Sequence, residues 1–310
     1  MEVWNVSIVG AGTMGLSIAQ FFAMKGHKTS LYNRTPENLD KAILDIKNNL
    51  KTLLELEAIS EEDIETTLNN LECFTELQPA VKNADLVIES VSENVELKKK
   101  IFNSLDEFCS KDTIFASDTS SLNIYEFLDI SHPERILITH FFNPAYVMPL
   151  VELVRGPRTS DQVVDKVYSM LKESGKSPAI LNKAVPGFIV NRLSVAIARE
   201  AIYMVEQGWT TPEDIDAAIT STFGPRYPFE GHFELFDHIG LDVGSAVINL
   251  MLPHLCSTTE PFKILDEKVK AGELGVKSGK GFKEYDDADK VRRDRDKKII
   301  KVLEFVKTLE

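Results

Sequence analysis

The strand pattern Val3–Val9 runs without a break into Gly10-Ala11-Gly12-Thr13-Met14-Gly15, and helical periodicity takes over from Met14 to Lys25. A chain that must turn this tightly between a strand and a helix has few folds open to it. Gly10 permits the turn, Gly12 lets backbone close on a bound group, and Gly15 lets the helix pack against the strand. The turn also leaves the first N–H groups of a helix pointing outward at the positive end of its dipole, which suits a phosphate anion. A second strand pattern, Lys28–Tyr32, ends about 20 residues after the glycines, the spacing of a dinucleotide-binding βα unit. Gly10, Gly12, Thr13, Met14 and Gly15 are therefore the expected pyrophosphate contacts.

The end of that second strand reads the ribose of the adenosine. An acid placed there accepts hydrogen bonds from the sugar of NAD. This chain has Tyr32-Asn33-Arg34-Thr35 instead. Asn33 brings no carboxylate to repel a 2′-phosphate, and the Arg34 guanidinium suits one. NAD and NADP both stay open, with Asn33 and Arg34 leaning towards NADP. The alternative leaves Arg34 a solvated loop residue.

Strand and helix patterns go on alternating as far as about residue 185. Further strands are expected at Ala84–Glu89, Thr113–Ser117, Ile136–His140, Leu150–Val154 and Ala179–Leu181, with helices at Pro36–Leu56, Val95–Phe108 and Asp161–Ser174. Ser60-Glu61-Glu62-Asp63 reads as a capped helix start with an acidic first turn. Such alternation predicts parallel strands joined by crossover helices. Beyond Pro186-Gly187 strand patterns all but vanish. Helices fit Phe188–Gln207, Leu241–Leu252, Pro261–Ala271 and Ala288–Leu309, and Thr211-Pro212-Glu213-Asp214 reads as another capped start. The fold class is thus α/β: a Rossmann-type doubly wound domain over residues 1–185, then an all-helical domain over residues 186–310.

Composition removes several function classes. A net charge of −13 argues against general nucleic-acid binding. No run approaches the roughly 18 apolar residues of a membrane span, and no basic leader precedes the first apolar stretch, so a cytoplasmic location is expected. Cys73, Cys109 and Cys256 are far apart and form no paired motif, so they are expected to be buried or half-buried free thiols with no metal site. The many lysines and arginines of Ala288–Leu309 alternate with acids and read as a solvated face.

A reaction centre needs a group that moves protons near neutral pH, and histidine does so. Of six histidines, His140 ends the apolar strand pattern Ile136-Leu137-Ile138-Thr139, and ligands bind at strand C-terminal ends in such sheets. Glu152 lies inside the apolar run Leu150-Val151-Glu152-Leu153-Val154. An unpaired charge there is expensive to bury, so Glu152 needs a partner, and His140 is a candidate.

The run His140-Phe141-Phe142-Asn143-Pro144, followed by Leu150-Val151-Glu152, resembles the 3-hydroxyacyl-CoA dehydrogenase family. So do Gly10–Gly15, Glu93-Asn94, Thr119-Ser120-Ser121-Leu122, Gly187-Phe188-Ile189-Val190-Asn191-Arg192-Leu193, Gly240-Leu241-Asp242 and Ser278-Gly279-Lys280-Gly281-Phe282, in order along nearly the whole chain. The resemblance implies an NAD(P)-dependent oxidoreductase that interconverts a short 3-hydroxyacyl-CoA, such as 3-hydroxybutyryl-CoA, and its 3-ketoacyl-CoA in fatty acid metabolism. It implies a His140–Glu152 dyad, with Ser120 and Asn191 on the substrate oxygen and Asn143 ordering the site. It also implies Glu93 and Lys98 near the cofactor and acyl-CoA cleft, and a homodimer formed by the helical domain. Three departures stand out: Asn33, Asp118 where the family's turn carries Asn, and Phe223-Gly224-Pro225-Arg226-Tyr227-Pro228 where short-chain members carry Pro-Met-Gly-Pro. Arg226 resembles the basic residue of relatives acting on free sugar acids or carnitine, where it is suited to grip a carboxylate. A free 3-hydroxy acid is therefore the alternative substrate, and a non-catalytic dinucleotide-binding protein a further alternative.

Overall fold

The computed structural model describes residues 2–309, and the chain forms two compact units, Met1–Arg192 and Leu193–Glu310. The first unit opens with β1 (Asn5–Val9), α1 (Thr13–Met24), β2 (Lys28–Tyr32), α2 (Pro36–Glu55), α3 (Glu61–Asn69), β3 (Leu71–Phe74) and α4 (Leu77–Val81). It continues through β4 (Leu86–Glu89), α5 (Val95–Phe108), β5 (Ile114–Ser117), β6 (Ile136–Phe141), β7 (Leu150–Val154), α6 (Asp161–Glu173) and β8 (Ser177–Leu181). The strands make one eight-stranded sheet in the order β3-β2-β1-β4-β5-β6-β7-β8. The order reverses between β1 and β4, and a crevice at such a switch point is where open α/β sheets take their ligands.

Alternation along the strands divides the interior. Val6 and Ile8 of β1 and Leu86 and Ile88 of β4 pack with Phe21 and Phe22 of α1, while Val9 and Val87 face a second cluster around Phe102 and Leu105 of α5. Side chains of successive strand residues point to opposite faces, so a strand covered on both sides is apolar throughout. Burying each phenylalanine fully contributes about 1.5–3 kcal/mol.

One strand pair departs from the parallel expectation. β6 and β7 are antiparallel, with His140 opposite Glu152. A parallel return needs a crossover of about a dozen residues or more, and the short stretch from Phe142 to Pro149 holds no helix. The chain therefore reverses, and β8 pairs with β7 in parallel after α6. The edge strand β3 is too short and too exposed to register as a strand pattern. It also carries Cys73, which is exposed, contrary to the expectation of buried or half-buried thiols. Cys109 is half-buried and Cys256 buried.

The second unit is helical: α7 (Val190–Glu206), which begins just inside the first unit, then α8 (Pro212–Thr222), α9 (His232–Ile239), α10 (Leu241–Met251), α11 (Lys263–Lys270) and α12 (Ala288–Lys307). Ser60 caps α3 through the Asp63 N–H, and Thr211 caps α8 through the Asp214 N–H, as their sequences lead one to expect. α9 follows Gly231, a weak start signal that the sequence pattern does not reveal. Among the described residues no single helix is long and apolar enough to cross a membrane, and no cluster of three His, Cys, Asp or Glu side chains suits a metal ion.

The glycine turn sets a sharp test. A Cβ on Gly15 would run into the Gly10 carbonyl, whereas one on Gly12 would meet nothing within 4 Å. Gly15→Ala is expected to lose at least about 2 kcal/mol in urea unfolding through overpacking. Gly12→Ala should stay within about 1 kcal/mol of wild type.

Candidate active site

The glycine turn opens onto a cavity of about 580 Å³ within the first unit. One wall is Gly10, Ala11, Gly12 and Thr13, another Asn33, Arg34 and Lys41, and a third Ser90, Val91 and Lys100. Gly10 has φ 121°, in the region that glycine alone adopts freely. No side chain caps the start of α1, so its first N–H groups stay available to an anion. These features fit a dinucleotide pyrophosphate. Met14 and Gly15 sit in the first turn of α1 behind this wall. Asn33 lines the cavity with its Oδ1 engaged locally, accepting from the Thr35 N–H at 3.0 Å and from Asn38 Nδ2 at 3.4 Å. Arg34 is exposed on the wall.

His140 and Glu152 meet at the C-terminal edge of the same sheet. His140 Nδ1 lies 2.7 Å from Glu152 Oε2. Glu152 is fully buried, and its other oxygen accepts from the N–H groups of Ile189 at 2.9 Å and Val190 at 2.8 Å. Burial alone raises its pKa, but the bond from His140 and the two backbone N–H groups outweigh burial and hold the carboxyl below the usual glutamate range. With Nδ1 engaged by an acceptor, the ring keeps Nε2 for a substrate. Phe142 and Phe188 flank the ring at 4.6 and 5.5 Å between centroids.

The strand reversal that faces these two residues is itself clamped. Between β6 and β7 the Ala145 N–H donates to Ser17 Oγ at 2.6 Å, while Lys176 donates to the carbonyls of Ala145 and of Met148 (2.7 Å). The Lys176 ammonium lies 4.0 Å from the centre of the Phe21 ring. Burial, aided by the charge of Lys25, pushes it down to about 7, against the two carbonyls and the ring that favour its charged form. Asn143, exposed on this loop, precedes Pro144 through a cis peptide bond.

Ser120, Glu93, Lys98 and Asn191 form a third group. Glu93 accepts from the Ser120 N–H at 2.8 Å, from Ser120 Oγ at 3.2 Å and from Thr119 Oγ1 at 2.8 Å. Burial raises the Glu93 pKa, yet the Ser120 N–H, Lys98 and Thr119 bring it below its ordinary value. Asn191 Nδ2 reaches the Ser120 carbonyl at 3.5 Å. Lys98 is buried, with Nζ 2.8 and 2.9 Å from the two oxygens of buried Glu89 and 3.4 Å from Glu93. Glu93 and Lys98 do not line the cavity, and the α5 lysine that does is Lys100. Arg226 is exposed in the second unit, on the turn where the Phe223 and Tyr227 rings stack at 5.5 Å. Lys176, Lys41 and Lys100 escape sequence reasoning because nothing near them in the chain marks their contacts.

Residues 5–184 match the model described as 3-hydroxyacyl-CoA dehydrogenase, NAD binding domain, and residues 187–285 match its C-terminal domain. The chain belongs to the 3-hydroxyacyl-CoA dehydrogenase family. As a family member it is a dehydrogenase built on an NAD-binding domain followed by a helical one. It is 36% identical to a probable 3-hydroxybutyryl-CoA dehydrogenase of Bacillus subtilis over 289 residues, 93% of this chain and 99% of the relative. The (S)-3-hydroxybutyryl-CoA dehydrogenase of Ralstonia eutropha superposes with a TM-score of 0.75 at 34% identity, over 92% of this chain and 99% of the other. A 5-formyl-3-hydroxy-2-methylpyridine 4-carboxylic acid 5-dehydrogenase, described as an NAD+-dependent dismutase, superposes with a TM-score of 0.89 at 29% identity over 99% of both chains.

A carboxyl held below its ordinary pKa stabilises the fold fully above the unfolded value and less as pH falls through the folded one. Glu152→Gln is therefore expected to be about 2 kcal/mol less stable than wild type at neutral pH. The gap should close on acidification from neutral pH to below the ordinary glutamate range. Urea titrations across that range check this, and a gap independent of pH contradicts it.

Proposed function

We propose that this dehydrogenase interconverts a short 3-hydroxyacyl-CoA, such as 3-hydroxybutyryl-CoA, and the matching 3-ketoacyl-CoA. On this reading the substrate belongs to fatty-acid metabolism and the reaction to the cytoplasm. The observation that carries the chemistry is the 2.7 Å contact between His140 Nδ1 and Glu152 Oε2, at the strand edge that also carries the glycine turn. Glu152 holds the ring so that Nε2 takes the proton of the substrate hydroxyl, and its charge stabilises the imidazolium that results. In the reverse direction the imidazolium returns the proton to the forming alkoxide. Ser120 and Asn191, drawn together at 3.5 Å, hydrogen-bond the reacting oxygen and polarise it, and Asn143 orders the same edge. Bound nicotinamide supplies the two-electron acceptor or donor. His140→Ala is expected to lower kcat by about 10³-fold or more while cofactor affinity stays within about twofold. Steady-state rates and cofactor titration check this, and near-wild-type turnover removes the dyad from the account.

For the cofactor, we assign a preference for NADP over NAD. Arg34 and Lys41 stand on one wall of the cavity, and no carboxylate ends β2. A 2′-phosphate finds cations there, whereas the ribose of NAD lacks its usual acid. Arg34→Ala should shift the ratio of kcat/KM for NADPH over NADH by about tenfold towards NADH. A strong NADH preference that Arg34→Ala leaves unchanged defeats the assignment.

A compact free carboxylic acid is the second reading for the substrate. One observation favours it: over nearly the full length of both chains the pyridine carboxylic acid dehydrogenase superposes with a TM-score of 0.89, against 0.68 for a 3-hydroxyacyl-CoA dehydrogenase of Archaeoglobus fulgidus. Under this reading Arg226 pairs with the substrate carboxylate. Rates on acetoacetyl-CoA and on free 3-hydroxy acids, each with both cofactors, separate the two readings.

A homodimer completes the proposal. Among the described residues of the second unit, Cys256 and Ile300 are the only buried hydrophobic ones, while Leu193, Val195, Phe233, Leu241 and Leu250 are exposed. Such a face is covered in a stable protein, and a second copy covers it here. Light scattering should give twice the mass of one chain, and a monomer at working concentration refutes the assignment.

A further inference from the structure

Asp118 stands just past β5, where the family's turn carries asparagine. It ties together the strand ends that frame the site. Its N–H donates to the Glu89 carbonyl at 2.8 Å, Oδ2 accepts from Ser90 Oγ at 3.1 Å, and Oδ1 accepts from the Phe141 N–H at 3.0 Å. Ser90 lines the dinucleotide cavity, and its carbonyl fills the space that a Cβ on Gly10 would need. Phe141 follows His140 in β6. The carboxyl is therefore tied both to Ser90, on the cavity that the phosphate turn opens, and to the residue after the base; it does not itself line that cavity, and a nicotinamide reaching from one to the other would pass beside it.

The charged groups around Asp118 are already committed. Glu89, at the end of β4, is held by Lys98 and by Ser117 Oγ at 2.6 Å. Lys98, from α5, divides its contacts between Glu89 and Glu93. On β6 the ionisable group is His140, paired with Glu152. α1, whose Phe21 packs on Phe141, carries no ionisable side chain. Among the described residues no cation contacts the Asp118 carboxyl, whose partners are Ser90 Oγ and the Phe141 N–H. Burial, reinforced by the charge of Glu89, raises it to about 8 against the pull of the Phe141 N–H, Ser90 and Lys98. As a neutral acid Asp118 donates to Ser90 Oγ much as an asparagine amide would.

We propose that Asp118 sets the relative affinity for oxidised and reduced cofactor, favouring the cationic oxidised nicotinamide over the neutral reduced ring when it is ionised. The inference rests on the dinucleotide-dehydrogenase reading above. Linkage then requires that oxidised cofactor release a proton from Asp118 on binding and that reduced cofactor release none.

Calorimetric titration of the full-length protein with NAD+, NADH, NADP+ and NADPH from pH 6 to pH 9, in buffers of different ionisation heat, tests this. In wild type the ratio of Kd for oxidised over reduced cofactor should fall roughly tenfold across that range, with a fraction of a proton released near pH 8 by the oxidised form alone. Asp118→Asn should hold the ratio constant. His140→Ala, which keeps Asp118, should retain the fall and so separates the carboxyl from the imidazole. A constant ratio in wild type, or the same fall in Asp118→Asn, overturns the inference while leaving the dehydrogenase reading intact. Failure of all four nucleotides to bind overturns both.

Discussion

A carboxylate removed from water must receive its hydrogen bonds from the protein, and Glu152 receives three: from His140 and from the first two N–H groups leading into α7. Left unpaired at this depth it would cost several kcal/mol. Satisfied, it fixes three things together: the tautomer and tilt of the histidine, the register of β6 against β7, and the point at which the chain leaves the sheet. Charge at the positive end of a helix is also favourable in itself.

That arrangement exists because the connection after β6 is short. A crossover helix would have carried the next strand back in parallel and set a different pair of residues side by side. The reversal instead faces His140 with Glu152 across an antiparallel ladder. Lys176 and Ser17 then hold the reversing loop by its backbone, so the geometry does not rest on the loop's own preferences. The phosphate turn is built on the older logic of strand, glycine and helix, two strands away from β5. Asp118 bridges the two constructions through Ser90 and Phe141.

Much of this was legible in the residues. The glycine spacing specifies its turn sterically, so the βα unit could be read with little tertiary information. Glu152 was legible for the opposite reason: an acid within Leu-Val-Glu-Leu-Val announces that a partner must exist. The antiparallel pair was not legible, because alternation of strands and helices implies crossovers and gives no sign of the exception. Lys98 reads as one of three lysines on a helix face, and only the fold shows it sealed against Glu89. Lys176 owes its role to carbonyls about 30 residues away, a distance at which local pattern carries no information. The exposure of Cys73 escaped for a related reason, since a four-residue edge strand has too little pattern to betray which face meets solvent.

Residues 193–309 leave the ribosome with scarcely any interior of their own to collapse into. The sheet half, complete by then, can fold while synthesis continues, because both of its faces are covered by helices that precede residue 193. The helical half emerges as sticky surface and stays so until another surface meets it. If a second copy is what covers that surface, as proposed above, completing this final third becomes a concentration-dependent step, and it is the stretch where chaperones would find most to hold.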